Sequence, residues 1–471
     1  MAKIVVTGAG MNGLTTAMLL AGDGHEVTVL ERDPAPPPIS NVAWEQWERR
    51  GVAQFRQLHY LHQRWRHLAE AELPGLVDAL EEAGAIRFNP VDLFAAAGGR
   101  EPGDEVFDVV TARRPVLESV VASAAAATTG LTIRRGAAVA QLLALHRSVG
   151  EAPRVTGVVT ESGEQIDADL VVDATGRRSG LPRMLDALGA SPLHTEIEPA
   201  GFVYFTRHFR SSDGTVPDQR APLLAHYDSF SVLTLPADNG TWGVGITASS
   251  EDPALRAAQD LDVWERILHR CASVAHWIDA EPITDGVALM AKLEDRRHEF
   301  VVDGEPVVTG VVAVGDSWAC TNPSIGRGIT IGLLHSLALR DVIRQVPLDQ
   351  PRELAVAFQA ATLASATPWY EATLGFDRHR LAEIRAQVAG EPYAPEDPTW
   401  EITRALMHAS LLDPELFRGM HEVIGMLALP QDVLGRPGVF ERVIELGAGW
   451  RDAPPDGPDR QELVALTAVR A

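Results

Sequence analysis

Hydrophobic positions fall in short unbroken runs near the start of the chain. Ile4-Val5-Val6 is apolar at consecutive positions, as in a strand covered on both faces of a parallel sheet. Positions 14–20 continue as a helix that Gly22-Asp23-Gly24 ends, and Val27-Thr28-Val29-Leu30 repeats the strand pattern. Leu58, Leu61, Trp65, Leu68 and Glu72 fall at helical spacing, so a helix is expected there up to Pro74. Thr111 to Pro115 opens another helix, with Leu117, Val120, Val121 and Ala124 as its apolar face. Positions 131–134 and 137–145 read as strands, 155–160 and 165–168 as a hairpin about Ser162-Gly163, and 170–176 as a last buried strand and turn. From about position 198 to 300 the pattern becomes antiparallel, with strands at 202–205, 231–235 and 242–248. Helices dominate after about 346, interrupted at Pro351, Pro392, Pro395 and Pro398.

Two glycine-bearing segments change this picture from fold to chemistry. In the first, Gly8 allows a tight turn after the strand, Gly10 lets the backbone approach a phosphate, and Gly13 seats the helix against the strand. Helix amides and dipole then meet a pyrophosphate. Glu31 ends the second strand, where an acid accepts hydrogen bonds from a ribose diol, and Arg32 beside it joins the candidate cofactor set. The second segment runs from Gly315 through Asp316 and Pro323 to Gly326 and Gly328, then into an apolar helix. A nicotinamide dinucleotide has no use for it. FAD does, because its ribityl chain and isoalloxazine must be fixed far from the adenine. The expected fold is α/β: a Rossmann-like FAD-binding domain interrupted by an antiparallel-sheet substrate domain, with a helical C-terminal region. The expected boundaries are 1–197 for FAD binding (with part of the substrate-side cap near 75–110), 198–300 for the sheet domain, 301–345 for the flavin-contacting return and 346–471 for the helical region.

The segment from Gly315 to Gly332 resembles the flavin-binding signature of FAD-dependent monooxygenases, a group of aromatic hydroxylases with halogenase and polyether-type epoxidase relatives. Arg114-Pro115-Val116-Leu117 is similar to the family's Arg-x-x-Leu element. Asp173-Ala174-Thr175-Gly176-Arg177 looks more like the epoxidase and halogenase branch than the one-component hydroxylases, and the stretch from Gly51 to His59 looks like an epoxidase-branch loop. The resemblance implies that Asp316 binds ribityl hydroxyls, that Arg114 lies by the pyrophosphate, and that the Pro323 to Gly328 turn lies against the isoalloxazine. It implies oxygen insertion from a flavin C4a-hydroperoxide into a hydrophobic natural-product-like substrate, by epoxidation or hydroxylation. The alternatives are a flavin oxidase or dehydrogenase without oxygen insertion, and a non-catalytic FAD-binding protein. The one-component hydroxylases carry Asp-Gly where Asp173-Ala174 stands. Reduction by NAD(P)H is therefore expected either directly or through a separate flavin reductase. Lys3 and Lys292 are the only lysines, and neither is placed as a halogenase requires.

Composition narrows the partners. With 46% hydrophobic residues in 471, the chain can build two or three cores. A formal net charge of −23 argues against nucleic acid, which needs a basic footprint. Two cysteines make no disulfide framework, no apolar run reaches membrane-spanning length, and a cytoplasmic enzyme is expected. No metal-ligand spacing stands out.

The remaining candidates each have two readings. His59 faces the flavin or is merely packed on a helical stripe. Arg56 neutralises the pyrophosphate or lies on the surface. Cys320 is reactive or a small buried hydrophobe. Trp44, Trp47, Trp65 and Trp242 line a pocket or fill the core. Tyr204 and His208 share one face of a strand and are the pocket-lining choice, with catalysis otherwise borne by the flavin. Glu294-Asp295-Arg296-Arg297-His298 reads as a solvated surface run.

Overall fold

The computed structural model describes residues 1–49, 51–94, 97–145, 151–452 and 456–468. Five parallel strands form the central sheet, in the order Val311–Ala313, Leu170–Asp173, Lys3–Thr7, Glu26–Glu31, Leu131–Arg135. The first strand is central: Val6 pairs with Val29 on one side and Val172 on the other. Alternate residues enter different cores. Ile4 and Val6 pack with Leu14, Ala17 and Leu333, whereas Val5 packs with Val171, Leu181 and Ile331. Both faces are covered, which is why the run has no polar alternation. The helix Met11–Gly22 follows the first strand, and Arg114–Ala127 packs beside it with Pro115 in its first turn.

The second layer is a six-stranded antiparallel sheet, in the order Leu224–His226, Phe230–Pro236, Thr241–Ser249, Phe202–Arg210, Glu281–Pro282, with Ala288–Met290 also on Phe202–Arg210. Its outer face buries Phe205, Phe209, Trp242 and Trp264. The two indoles there are satisfied: Trp264 donates to the Phe205 carbonyl at 3.0 Å and Trp242 to that of Trp277 at 2.8 Å. Fully burying side chains of this size stabilises by roughly 1.5–3 kcal/mol each. The α/β architecture with an antiparallel-sheet layer and a helical C-terminal region is as the sequence led one to expect. The long helix Thr367–Ala389 lays Leu381 and Ile384 back across Phe202 and Tyr204.

Two local expectations are corrected. The helix expected from Leu58 begins at Gln63. Leu61 instead bridges to Val110, and the His59 carbonyl accepts the Thr111 hydroxyl at 2.7 Å, so 51–62 is irregular chain held by tertiary contacts. The charged run at 294–298 is not a solvated loop. It lies in the strand Glu294–Glu299, paired with His194–Pro199 and Ala319–Cys320, with Asp295 and His298 buried. Three residues apart in a strand, Asp295 and His298 face opposite sides of the sheet, and each is covered there whatever its charge.

Candidate active site

Gly8 carries φ +99, and a Cβ there would lie 2.7 Å from the Ala174 carbonyl oxygen. A Cβ on Gly13 would lie 2.0 Å from the Gly8 carbonyl oxygen. Gly10 is different. A Cβ there meets nothing nearer than Arg49 Nη1 at 3.9 Å, so this residue borders open space. The helix Met11–Gly22 starts at that point with no side-chain cap. Its leading N–H groups and the positive end of its dipole are available to an anion.

Glu31 is buried and accepts from Ala9 N at 2.7 Å and Asp33 N at 3.0 Å. Arg49, a residue that no sequence pattern singles out, sits between Glu31 (3.2 Å) and Glu118 (2.5 Å). Those carboxylates overcome burial and hold its guanidinium charged beside Gly10. Glu118 also accepts from Arg114 Nε at 2.6 Å. Burial pushes the Glu118 carboxyl up, but the Arg114 and Arg49 charges outweigh it and hold it below the usual range. Arg114 Nη1 reaches His59 Nε2 at 3.0 Å while His59 Nδ1 lies 2.9 Å from the Gln57 carbonyl. An arginine only donates, so Nε2 accepts and Nδ1–H donates to Gln57. Burial, then the Arg114 charge, pushes the imidazole down to about 3. His59 is thus neutral and orients Arg114.

Arg56 points elsewhere. It donates to the carbonyls of Trp44 (2.5 Å) and Trp47 (2.8 Å), stacks over the Trp44 ring at 4.4 Å, and so closes the end of the helix Ser40–Gln46. The Arg32 side chain is largely exposed, 4.0 Å from Asp33.

The second glycine segment meets the first through Asn12. The Asn12 amide fills the space that side chains at Gly315 and Gly332 would need, 2.4 Å and 2.0 Å from their Cβ positions. Asp316 lies in the turn Gly315–Ser317, with Oδ1 3.8 Å from the Cβ position of Gly328. The helix Gly328–Gln345 starts there, again without a side-chain cap. His62 Nε2 donates to the Ile325 carbonyl at 3.0 Å, pinning the turn that contains Pro323 and Gly326. Asp173 is consumed beneath the first segment by the Thr7 hydroxyl (3.0 Å) and by Thr175 N and Oγ1 (3.1 and 2.6 Å). Burial pushes the Cys320 thiol up to about 11, so it stays a protonated, packed side chain.

The inner sheet face carries Tyr204, Thr206 and His208, while Arg207 points outward to Glu265 at 2.8 Å. Tyr204 donates to Asn322 Oδ1 at 2.7 Å, and Thr206 to Gln57 Oε1 at 2.6 Å. His208 lies 4.7 Å from Trp44 with the rings tilted by 53°, its Nδ1 has no hydrogen-bond partner among the described residues, and burial pushes the imidazole down to about 3. Leu58 fills the space above Gly243 and Gly245, leaving only a small cavity lined by Gln57, His59, Arg113 and His208. Trp65 and Trp242 are core residues, and Trp47 edges onto Phe55. Among the described residues no cluster of His, Cys, Asp and Glu is arranged to hold a metal, and no helix is long and apolar enough to cross a membrane.

The chain resembles known proteins in sequence and in fold. The chain is 27% identical over 395 residues to Protein Rv3254 of Mycobacterium tuberculosis, covering 79% of each. It is 25% identical over 365 residues to kynurenine 3-monooxygenase of Salinispora tropica, covering 76% of each. Among solved structures, PqsL, a probable FAD-dependent monooxygenase from Pseudomonas aeruginosa, superposes with a TM-score of 0.57 at 16% identity, covering 82% of this chain and 96% of that one. The flavin-dependent halogenase CmlS gives 0.60 at 15%, covering 87% and 72%. The family model for FAD dependent oxidoreductases matches residues 3–334, which hold both glycine segments and the sheet between them, and the chain belongs to that family.

Proposed function

We propose that the protein is a FAD-dependent monooxygenase that places one oxygen atom of O2 on a hydrophobic, natural-product-like substrate by hydroxylation or epoxidation. The carrying observation is the junction at Asn12: from the helix whose uncapped start lies beside Gly10, Asn12 fits against Gly315 and Gly332 and so ties that start to the segment that opens the second uncapped helix at Gly328. In this reading Glu31 takes the ribose diol, Arg49 and Arg114 offset the pyrophosphate, and Asp316 takes the ribityl hydroxyls. The turn from Pro323 to Gly328 backs the isoalloxazine, with Gly328 amides toward its electron-rich edge. Bound FAD, once reduced, supplies the electrons and the activation of O2. The residues facing it exclude water and orient substrate. Trp44 and Leu58 are apolar, His59 and His208 are neutral, and Arg113 is paired with Asp238, which favours an uncharged substrate. The similarity to kynurenine 3-monooxygenase supports oxygenation. The halogenase fold neighbours do not redirect it, because Lys292 is exposed and Lys3 begins the first strand. Ala174, packed on Gly13, motivates electron supply through a separate flavin reductase.

Labelled O2, supplied with NAD(P)H and a flavin reductase, should leave one labelled atom in the product, with no halogen incorporated when chloride or bromide is added. Label confined to water and peroxide with the true substrate present would replace this reading with an oxidase or dehydrogenase. Asp316→Ala should weaken FAD binding by about 1–3 kcal/mol, the cost of leaving hydroxyl partners unpaired. Unchanged affinity in a flavin titration would remove Asp316 from the ribityl chain.

A further inference from the structure

Behind the turn from Pro323 to Gly328 lies a polar cluster that the proposed reaction has not used. Asp377, from the helix Thr367–Ala389, is 4% exposed. Its Oδ1 accepts the Ser324 hydroxyl and its Oδ2 accepts Asn322 Nδ2 at 3.2 Å. The Asn322 backbone N–H donates to Asp295 Oδ1 at 2.5 Å. Two buried carboxyl groups therefore meet at one asparagine. Neither forms an ion pair among the described residues. Arg327, the cation near Asp377, turns its donors to Thr373 Oγ1 (3.5 Å) and the Val423 carbonyl (3.2 Å). Both acids reach the wall of a cleft of about 470 Å³ between this helix and the strands that cross between the layers, lined also by Leu293, Leu381 and Arg378. One side of the pair thus meets an open cleft, and the other meets the turn.

We propose that Asp377, with Asp295 as its partner, stores one proton and passes it through the Ser324 hydroxyl to the flavin side of the turn, refilled from the cleft. This rests on the reading of that turn as flavin-contacting. Placing one oxygen atom of O2 on a substrate and reducing the other to water takes two electrons and two protons. A hydride from NAD(P)H carries both electrons and one proton, and the second proton must come from solvent. With Asp377 protonated its O–H passes a proton to Ser324 Oγ as the Ser324 hydroxyl proton leaves on the flavin side. There that proton completes the water formed from the second oxygen atom, and Asp377 is left as the carboxylate. Water in the cleft then restores the acid.

Burial favours a stored proton. Burial raises Asp377 to about 7, with Asp295 adding to it and Ser324, Asn322 and Arg327 opposing. Burial raises Asp295 to about 6, with Glu198 adding, and the Asn322 N–H, Arg177 and Arg378 opposing. Tyr204, the other titratable group at Asn322, is held protonated by burial and then by Asp377.

The test is Asp377→Asn beside Asp377→Glu, Asp295→Asn and Ser324→Ala. Protein without flavin should show the infrared C=O stretch of a buried carboxylic acid, lost as pH rises through about 7. That band should be absent in Asp377→Asn, retained in Ser324→Ala, and lost at lower pH in Asp295→Asn. In the FAD-loaded enzyme, product formation should fall above the same pH. Asp377→Asn should be about a hundredfold slower and lose that limb, at unchanged FAD affinity, with partial recovery in Asp377→Glu. A wild-type protein without the carboxylic-acid band, or an Asp377→Asn enzyme with the wild-type pH profile, overturns the proposal. If wild type neither binds FAD nor inserts oxygen, the functional reading fails. The infrared titration still decides whether the proton is stored.

Discussion

Gly13→Ala is expected to fold poorly and to take up no FAD at concentrations that saturate wild type. The new Cβ would stand 2.0 Å from the Gly8 carbonyl oxygen and 3.2 Å from Ala174 Cβ. Neither obstacle is the flexible end of a side chain, so no rotamer change relieves the clash. The helix Met11–Gly22 must lift off the strands Lys3–Thr7 and Leu170–Asp173. Overpacking of this kind costs about 1–3 kcal/mol. The same displacement carries the helix start away from the phosphate position, and losing even one charge-assisted contact there costs about 1.5–3 kcal/mol of affinity. Gly10→Ala separates the two effects, since its Cβ meets only Arg49 at 3.9 Å. That variant should melt like wild type and still bind FAD weakly. Thermal melting without flavin, followed by FAD titration, checks both variants. A Gly13→Ala protein with wild-type melting and affinity would show that the helix does not sit as described.

Asp238→Ala should lose about 3–5 kcal/mol of stability, measured by denaturant unfolding. Asp238 is fully buried and accepts from Arg113 at three donors: backbone N at 2.7 Å, Nε at 3.1 Å and Nη2 at 2.5 Å. This pair joins the hairpin turn between the strands Phe230–Pro236 and Thr241–Ser249 to the start of the helix Arg114–Ala127. Removing the carboxylate leaves the Arg113 guanidinium buried over the Trp44 ring, 4.9 Å from its centroid, without a counter-charge. Arg113→Met in the Asp238→Ala background should recover part of the loss, because the penalty belongs to the uncompensated charge. A loss under about 1 kcal/mol in the single variant would mean that water reaches Arg113 and takes over the role of Asp238.

What the sequence determined by itself is local in origin. The apolar triplet Ile4-Val5-Val6 and its repeat at 27–30 imply a sheet covered on both faces. Although the contact of Gly8 with Ala174 is tertiary, Gly13 answers a steric demand set by Gly8, five residues before it, and Gly8 takes the positive φ of its own turn, so both can be read before any fold is known. The same holds for Pro115 at a helix start and for Tyr204 and His208 on one strand face. Side chains that converge from distant segments could not be read this way. Arg49 follows a short helix in irregular chain, and only the fold sets it between Glu31 and Glu118. Asp295 looked solvated because a charged run has no local reason to be buried. Pairing with His194–Pro199 and Ala319–Cys320 is what turns it inward. Its meeting with Asp377 at Asn322 joins three segments with no shared pattern in sequence. Backbone conformation answers to near neighbours along the chain, whereas burial and charge environment answer to neighbours in space, which the tertiary structure alone decides.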